Sequence, residues 1–193
     1  AMPVKKFAHR GVHEGDRDEN TMPAFRAALR NAEIDGAECD VRYSRNNEKL
    51  VIAHDANLSR TRGIDLNVAD TPHANLLNTP LLEDVLTLFA HDGTKTVVID
   101  YKTEGDTQDA IIRAGALATK HKCKCSIVHL VWSTGYRISQ HATHKLYLAT
   151  EAALSSGDTY AGLRRANYAG IGFKFDNTPE NKNHIDQALQ AGL

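Results

Sequence analysis

The chain has 193 residues, 41% of them hydrophobic and 24% charged, which is ordinary for a soluble globular domain and long enough for one sizeable core. Its 23 Lys and Arg stand against 24 Asp and Glu, a formal net charge of −1, so there is no basic footprint for nucleic acid and no acidic tail. The apolar runs are strand-sized, well short of the roughly 18 residues a membrane-crossing helix needs, and no signal peptide precedes the first motif, so a cytoplasmic protein is expected.

Cys39, Cys123 and Cys125 are odd in number and follow no framework spacing, which fits a reducing compartment. The pair Cys123 and Cys125 lacks the second pair that a zinc site needs, so zinc is not favoured.

In chain order, Val4 to Ala8 reads as a strand ending in His9-Arg10-Gly11, followed by a polar loop to Glu19-Asn20-Thr21. Thr21 is a good N-cap, Pro23 suits the first turn, and Met22, Phe25, Ala28, Leu29 and Ala32 recur at helical spacing. Gly36 opens the next strand, Ala37-Glu38-Cys39-Asp40-Val41-Arg42. Alternation sends Glu38 and Asp40 to one face and Ala37, Cys39 and Val41 to the other. Two carboxylates then share a small space, which is costly unless a proton or a cation lies between them. A divalent metal flanked by two histidines is the working expectation. Glu19 and Asn20 are read as ordering the loop and the helix start.

Ser44 to Lys49 is a polar turn, and Leu50 to Ala53 is a further apolar run ending in His54-Asp55, where Asp55 caps or orients a neighbour. From Ala56 to about Pro80 the periodicity is lost, as expected for a long surface excursion. Leu81 to Phe89 resumes helical spacing, Thr96 to Ile99 is a β-branched run finishing in Asp100-Tyr101-Lys102, and Asp106 or Thr107 caps another helix. Ser126 to Val131, Leu146 to Ala149 and Gly170 to Phe175 read as strands. Gly135 to His144, Tyr160 to Ala166 and the segment from Thr178 through Leu189 read as helices. His129 and Trp132, in and after one of these strands, are weaker site candidates: the first could face a barrel mouth, the second a substrate wall.

Alternating strands and helices argue for a parallel sheet with covering helices, in an open doubly wound form or a closed barrel. The absence of a Gly-rich dinucleotide fingerprint and of a phosphate-loop motif weakens the open version. In a barrel, chemistry gathers at the carboxyl ends of the strands. Four successive apolar runs here end in ionisable residues: His9 with Arg10, Glu38 with Asp40, His54 with Asp55, and Asp100 with Lys102.

These motifs, together with Leu58-Ser59-Arg60-Thr61 and Thr79-Pro80-Leu81-Leu82-Glu83-Asp84-Val85-Leu86, resemble the glycerophosphodiester phosphodiesterase family in order and separation. The match is dense from Phe7 to Lys102 and faint afterwards. The resemblance implies an α/β fold, a (β/α) TIM barrel of the phospholipase C-like phosphodiesterase type, as one domain over 1–193 with a short insertion at about 56–80. It implies a divalent metal, Mg²⁺ or Ca²⁺, on Glu38, Asp40 and Asp100, with His9 and His54 as the acid/base pair and Arg10 and Lys102 as phosphate contacts.

The expected reaction is hydrolysis of a small-molecule glycerophosphodiester to sn-glycerol 3-phosphate and an alcohol through a cyclic phosphate. Two departures stand out: Asp100 replaces the family's usual Glu, and the expected seven strands lack an eighth. Asp-x-Lys at 100–102 keeps a phospholipase D-like or sugar-phosphodiester activity open, and the open seam keeps open a non-catalytic phosphate-binding barrel. Oligomeric state is not legible.

Overall fold

Strand β2 (Gly36–Tyr43) is the axis of the sheet, with seven of its eight residues buried. The computed structural model describes residues 4–138, 143–149, 152–153, 160–172 and 179–193. Strand β1 (Phe7–His9) lies parallel along one edge of β2 with His9 opposite Glu38, and β4 (Thr96–Tyr101) lies parallel along the other with Asp40 opposite Asp100. Strands β5 (Ser126–Val131), β6 (His144–Ala149) and β7 (Gly170–Gly172) continue the parallel sheet in the order β1-β2-β4-β5-β6-β7.

Strand β3 (Leu50–Ile52) differs from the expectation. It runs antiparallel to the end of β2, pairing Val41 with Ile52 and Tyr43 with Leu50. The six residues from Ser44 to Lys49 are too few for the crossover a parallel return requires, and Asn46 and Asn47 turn the chain at φ of 56° and 53°. Among the described residues the parallel strands are therefore six rather than seven, with β1 and β7 at the two ends of the strand order. A closed barrel of this class has eight, so these six form an incomplete one.

Helix α1 (Met22–Arg30) begins where Thr21 Oγ1 accepts the Ala24 amide and carries Phe25 and Ala28 on its buried side. Helices α3 (Leu82–Phe89) and α4 (Thr107–Lys120) add Leu82, Val85, Leu86, Phe89, Ala110 and Ala114. All of these pack on the odd-numbered residues of β2 and β4, among them Cys39, Val41, Val97 and Ile99, in one continuous core. Phe25, Leu86 and Phe89 are fully buried, and each such side chain contributes about 1.5–3 kcal/mol. The period of two thus sends every apolar odd residue of β2 and β4 to the helices and leaves Glu38, Asp40 and Asp100 for the opposite face. Gly36 admits no side chain, because a Cβ there would lie 1.8 Å from the Thr96 carbonyl oxygen.

The excursion at 56–80 is ordered. It contains the short helix α2 (Ser59–Arg62) and builds a second small core from Val51, Ala53, Leu58, Val68 and Leu76. Helices α5 (Tyr160–Arg165) and α6 (Pro179–Gln190) lie where helical spacing predicts them. The helix expected over Gly135 to His144 does not form as such: 135–138 is irregular, His144 opens β6, and 139–142 lies outside the described residues. The strand expected to reach Phe175 is described only to Gly172. Among the described residues no helix is long and apolar enough to cross a membrane.

Candidate active site

The loop after β1 turns back on itself at Arg10 and Gly11, with φ of 60° and 82°. A Cβ on Gly11 would come within 2.7 Å of Ala24 Cβ, so the turn is closed down against α1. This places the Arg10 amide 3.0 Å from Glu38 Oε2, to which it donates. The Arg10 guanidinium lies across two acids, donating from Nη1 to Glu19 Oε2 at 2.8 Å and placing Nε 3.3 Å from Asp40 Oδ2.

Glu38, Asp40 and Asp100 converge, with one carboxylate oxygen of each within 4.8 Å of the others. They are 7%, 1% and 6% exposed. Burial raises the Glu38 carboxyl well above its ordinary range, and Asp40 and Asp100 add like-charge repulsion. Burial also raises Asp100, against the pull of Lys102 and the Trp132 hydrogen bond. Asn20 Nδ2 donates to Asp40 Oδ2 at 3.0 Å, and Asp100 receives Trp132 Nε1 at 2.8 Å on Oδ1 and Lys102 Nζ at 3.3 Å on Oδ2.

Two oxygens remain. Glu38 Oε1 and Asp40 Oδ1 are buried with no hydrogen-bond partner. Leaving a buried acceptor unpaired costs about 1–3 kcal/mol, and more for a charged group. A cation among the three acids removes both deficits and the repulsion together, and an all-oxygen donor set suits a hard divalent ion. The residues present therefore fit a Mg²⁺- or Ca²⁺-type site.

The two histidines approach from different elements. His9 puts Nε2 3.8 Å from Glu38 Oε2 while its side chain stays 65% exposed. Its pKa is lowered, first by partial loss of water around the ring and then by the Arg10 guanidinium, with Asp40 pulling the other way. His54 Nδ1 is 2.7 Å from Asp55 Oδ1, and the His54 carbonyl oxygen is clamped by Arg42 Nε and Nη2 at 2.8 and 2.6 Å. Arg60 grips Asp55 with two nitrogens, at 2.8 and 3.1 Å, and these hydrogen bonds hold the Asp55 carboxyl well below its usual range.

Thus Glu38, Asp40 and Asp100 meet, His9 and Arg10 reach the same cluster, and Lys102 reaches Asp100. His54 joins through Asp55, Arg60, Glu19 and Arg10, the Arg60 Nη1 to Glu19 Oε1 distance being 2.6 Å. Glu19 and Asn20 order the loop, and Asp55 orients His54. His129 does not face the mouth. It pairs in register with Ile99, on the helix-covered face, and is buried between Tyr101 Oη at 2.6 Å and His144 Nδ1 at 3.0 Å. Sequence reasoning missed Arg42 and Arg60 as individual residues, and missed the Trp132 indole as a donor. Only the position of Trp132 just beyond a strand end, and the Arg60 in Leu58-Ser59-Arg60-Thr61, signalled them.

A family model described as the glycerophosphoryl diester phosphodiesterase family matches residues 9–119, more than half of the chain and a span that contains the seven candidate residues. The chain belongs to that family. Among curated phosphodiesterase relatives, a lysophospholipase D of Rattus norvegicus is 38% identical over 72 residues, covering 37% of this chain and 22% of that protein. A lysophospholipase D of Homo sapiens is 36% identical over 72 residues, covering 37% of this chain and 22% of that protein. The chain spans about a fifth of the length of the curated relatives it matches.

Solved phosphodiesterases share the fold along nearly the whole chain. A glycerophosphodiester phosphodiesterase of Agrobacterium tumefaciens aligns with TM-score 0.67 at 18% identity, covering 99% of this chain and 85% of that one. One from Thermotoga maritima gives 0.59 at 20% identity, covering 97% and 92%. A phosphodiesterase of Oleispira antarctica, in complex with the product sn-glycerol-3-phosphate, gives 0.61 at 18% identity, covering 95% and 90%. The parallel sheet of this chain is thus that of the family's TIM barrel, in incomplete form among the described residues.

Proposed function

We propose that this protein hydrolyses glycerophosphodiesters to sn-glycerol 3-phosphate and an alcohol, with a divalent cation and two histidines. The observation that carries this reading is the pair of buried, unpartnered oxygens, Glu38 Oε1 and Asp40 Oδ1, in an acid cluster that His9 and Arg10 border. Glu38, Asp40 and Asp100 would hold Mg²⁺ or Ca²⁺, which when bound neutralises charge building up on the phosphoryl oxygens.

The protein's own groups do the rest. His9, with its lowered pKa, is neutral at pH 7 and takes the proton from the glycerol hydroxyl beside the phosphate. His54 gives a proton to the departing alcohol, and the ionised Asp55 at its Nδ1 stabilises the imidazolium form that this step needs. The internal hydroxyl closes on phosphorus to a cyclic phosphate, and water opens it with the histidines in exchanged roles. Proximity of that hydroxyl supplies much of the rate. Lys102, and the edge of Arg10 not engaged by Glu19 and Asp40, hold the non-bridging oxygens.

A second reading, hydrolysis of a lysophospholipid to release its head-group alcohol, is favoured by the names of the curated relatives. The test is incubation with glycerophosphocholine, glycerophosphoethanolamine and lysophosphatidylcholine, with Mg²⁺ or Ca²⁺ and again after chelation. Release of sn-glycerol 3-phosphate is expected from the first two, and loss of activity on chelation. Turnover indifferent to chelator overturns the metal role, and tight binding of the diesters without turnover makes this a binding barrel. Replacing His9 or His54 by Ala is expected to lower kcat about 10²–10⁴-fold with little change in KM.

A further inference from the structure

We propose that Arg60, supplied by the excursion at 56–80, is a positioning residue for His54, acting through Asp55. This rests on the reading of His54 as a proton donor and acceptor, and it gives the excursion a task in the chemistry.

The argument begins at Asp55. Its carboxylate is ionised, so at the 2.7 Å contact His54 Nδ1 must be the donor. That fixes the neutral ring as the tautomer protonated at Nδ1 and leaves the Nε2 lone pair for chemistry. A lone Asp beside a partly exposed His swings freely between rotamers. This one does not, because Arg60 binds it in fork geometry, Nε to Oδ2 at 2.8 Å and Nη2 to Oδ1 at 3.1 Å. Two parallel N–H donors fix the plane of a carboxylate as well as its position.

The third arm of the guanidinium reaches away from His54. Nη1 donates to Glu19 Oε1 at 2.6 Å and lies 3.3 Å from Asp16 Oδ1. Glu19 is 1% exposed, and its other oxygen holds Arg10, whose Nε faces Asp40. Arg60 therefore joins the loop after β1 to the segment after β3. These segments are 41 residues apart in the chain, and nothing in either alone sets the distance between His54 and the acid cluster. Arg60 is free to do this because α2 stands on a core of its own: Leu58, one residue before the helix, is buried with Val51, Val68 and Leu76. All three nitrogens of Arg60 lie on carboxylates, in four contacts for five N–H donors, which suits it to positioning better than to gripping a phosphate.

The test compares wild type with Arg60→Ala and Arg60→Lys, reading the ¹⁵N signals of the His54 ring and the steady-state constants on glycerophosphocholine. In wild type the neutral ring is expected protonated at Nδ1. In Arg60→Ala the Nε2-protonated form is expected to gain, kcat to fall about 10- to 100-fold, and KM to stay within about twofold. Added guanidinium is expected to restore part of kcat. Arg60→Lys, which keeps the charge but not the fork, is expected to fall between the two, and it retains the ion pairs if the Ala variant folds poorly.

An unchanged His54 tautomer in both variants, or a kcat within twofold of wild type, overturns the inference. Wild type without turnover on any diester overturns the functional reading instead, and the ring signals alone then decide the role of Arg60.

Discussion

Trp132 Nε1 donates to Asp100 Oδ1 at 2.8 Å, tying the residue just after β5 to the carboxylate near the end of β4. Lys102 Nζ lies 5.0 Å from the centre of the same indole and 3.3 Å from Asp100 Oδ2, so both oxygens of Asp100 are engaged. Asp is one methylene shorter than the Glu expected at this position, and a carboxylate fixed at both oxygens keeps its direction. Trp132→Phe is expected to weaken Mg²⁺ or Ca²⁺ binding about tenfold while leaving the fold intact. Calorimetric titration of the metal checks this, and unchanged affinity would show that the indole is only packing.

Asn20 grips Asp40 from both sides, donating Nδ2 to Oδ2 at 3.0 Å and accepting the Asp40 amide on Oδ1 at 3.4 Å. It does so at φ of 54°, a conformation Asn tolerates better than most residues. Asn20→Ala is expected to cost about 1–3 kcal/mol from the lost hydrogen bonds, with a further ~1 kcal/mol from the backbone. Urea unfolding followed by circular dichroism measures it, and a loss below about 0.5 kcal/mol would mean the loop is held by other contacts.

His129 governs an acid-side loss of stability. Burial, and next the facing His144, push its pKa down to about 3 from an ordinary 6.5, so the unfolded chain binds the proton first. Its contribution is complete above about pH 6.5 and is lost as pH falls towards about 3, with a slope of at most ~1.4 kcal/mol per pH unit. The groups facing it are Tyr101 and His144. Stability measured by denaturant at several pH values is expected to show this slope in wild type and a shallower one in His129→Gln.

Gly36→Ala is expected to destabilise by more than about 3 kcal/mol, since its Cβ would need the space of the Thr96 carbonyl and would push β4 from β2 at the start of the strand carrying Glu38. Thermal unfolding decides it, and a near-neutral substitution would show that the β2–β4 pairing yields at that end.

Much of the site was readable before any fold was known, for an identifiable reason. The facing of Glu38 and Asp40 follows from alternation within one strand, and the N-cap at Thr21 from its residue type with Pro23 in the first turn of one helix. Both are local. The direction of β3 is also set locally, since the six residues from Ser44 to Lys49 admit only an antiparallel return, but alternation of apolar runs with helices carries no sign of strand direction. His129 was misplaced because its face depends on its register with Ile99, thirty residues earlier, and a one-residue slip reverses every side chain.

By itself, the chain's order of residues determined most of the strands and helices, though not the segment from Gly135 to His144, and also that four successive apolar runs end in ionisable groups and which acids share a face. Only the tertiary structure decided that Asp100 stands beside Asp40, that the indole of Trp132 closes on Asp100 and the fork of Arg60 on Asp55, and that the parallel strands among the described residues number six. Those relations are set by register and packing between segments tens of residues apart, where side-chain spacing along the chain carries no information about distance in space.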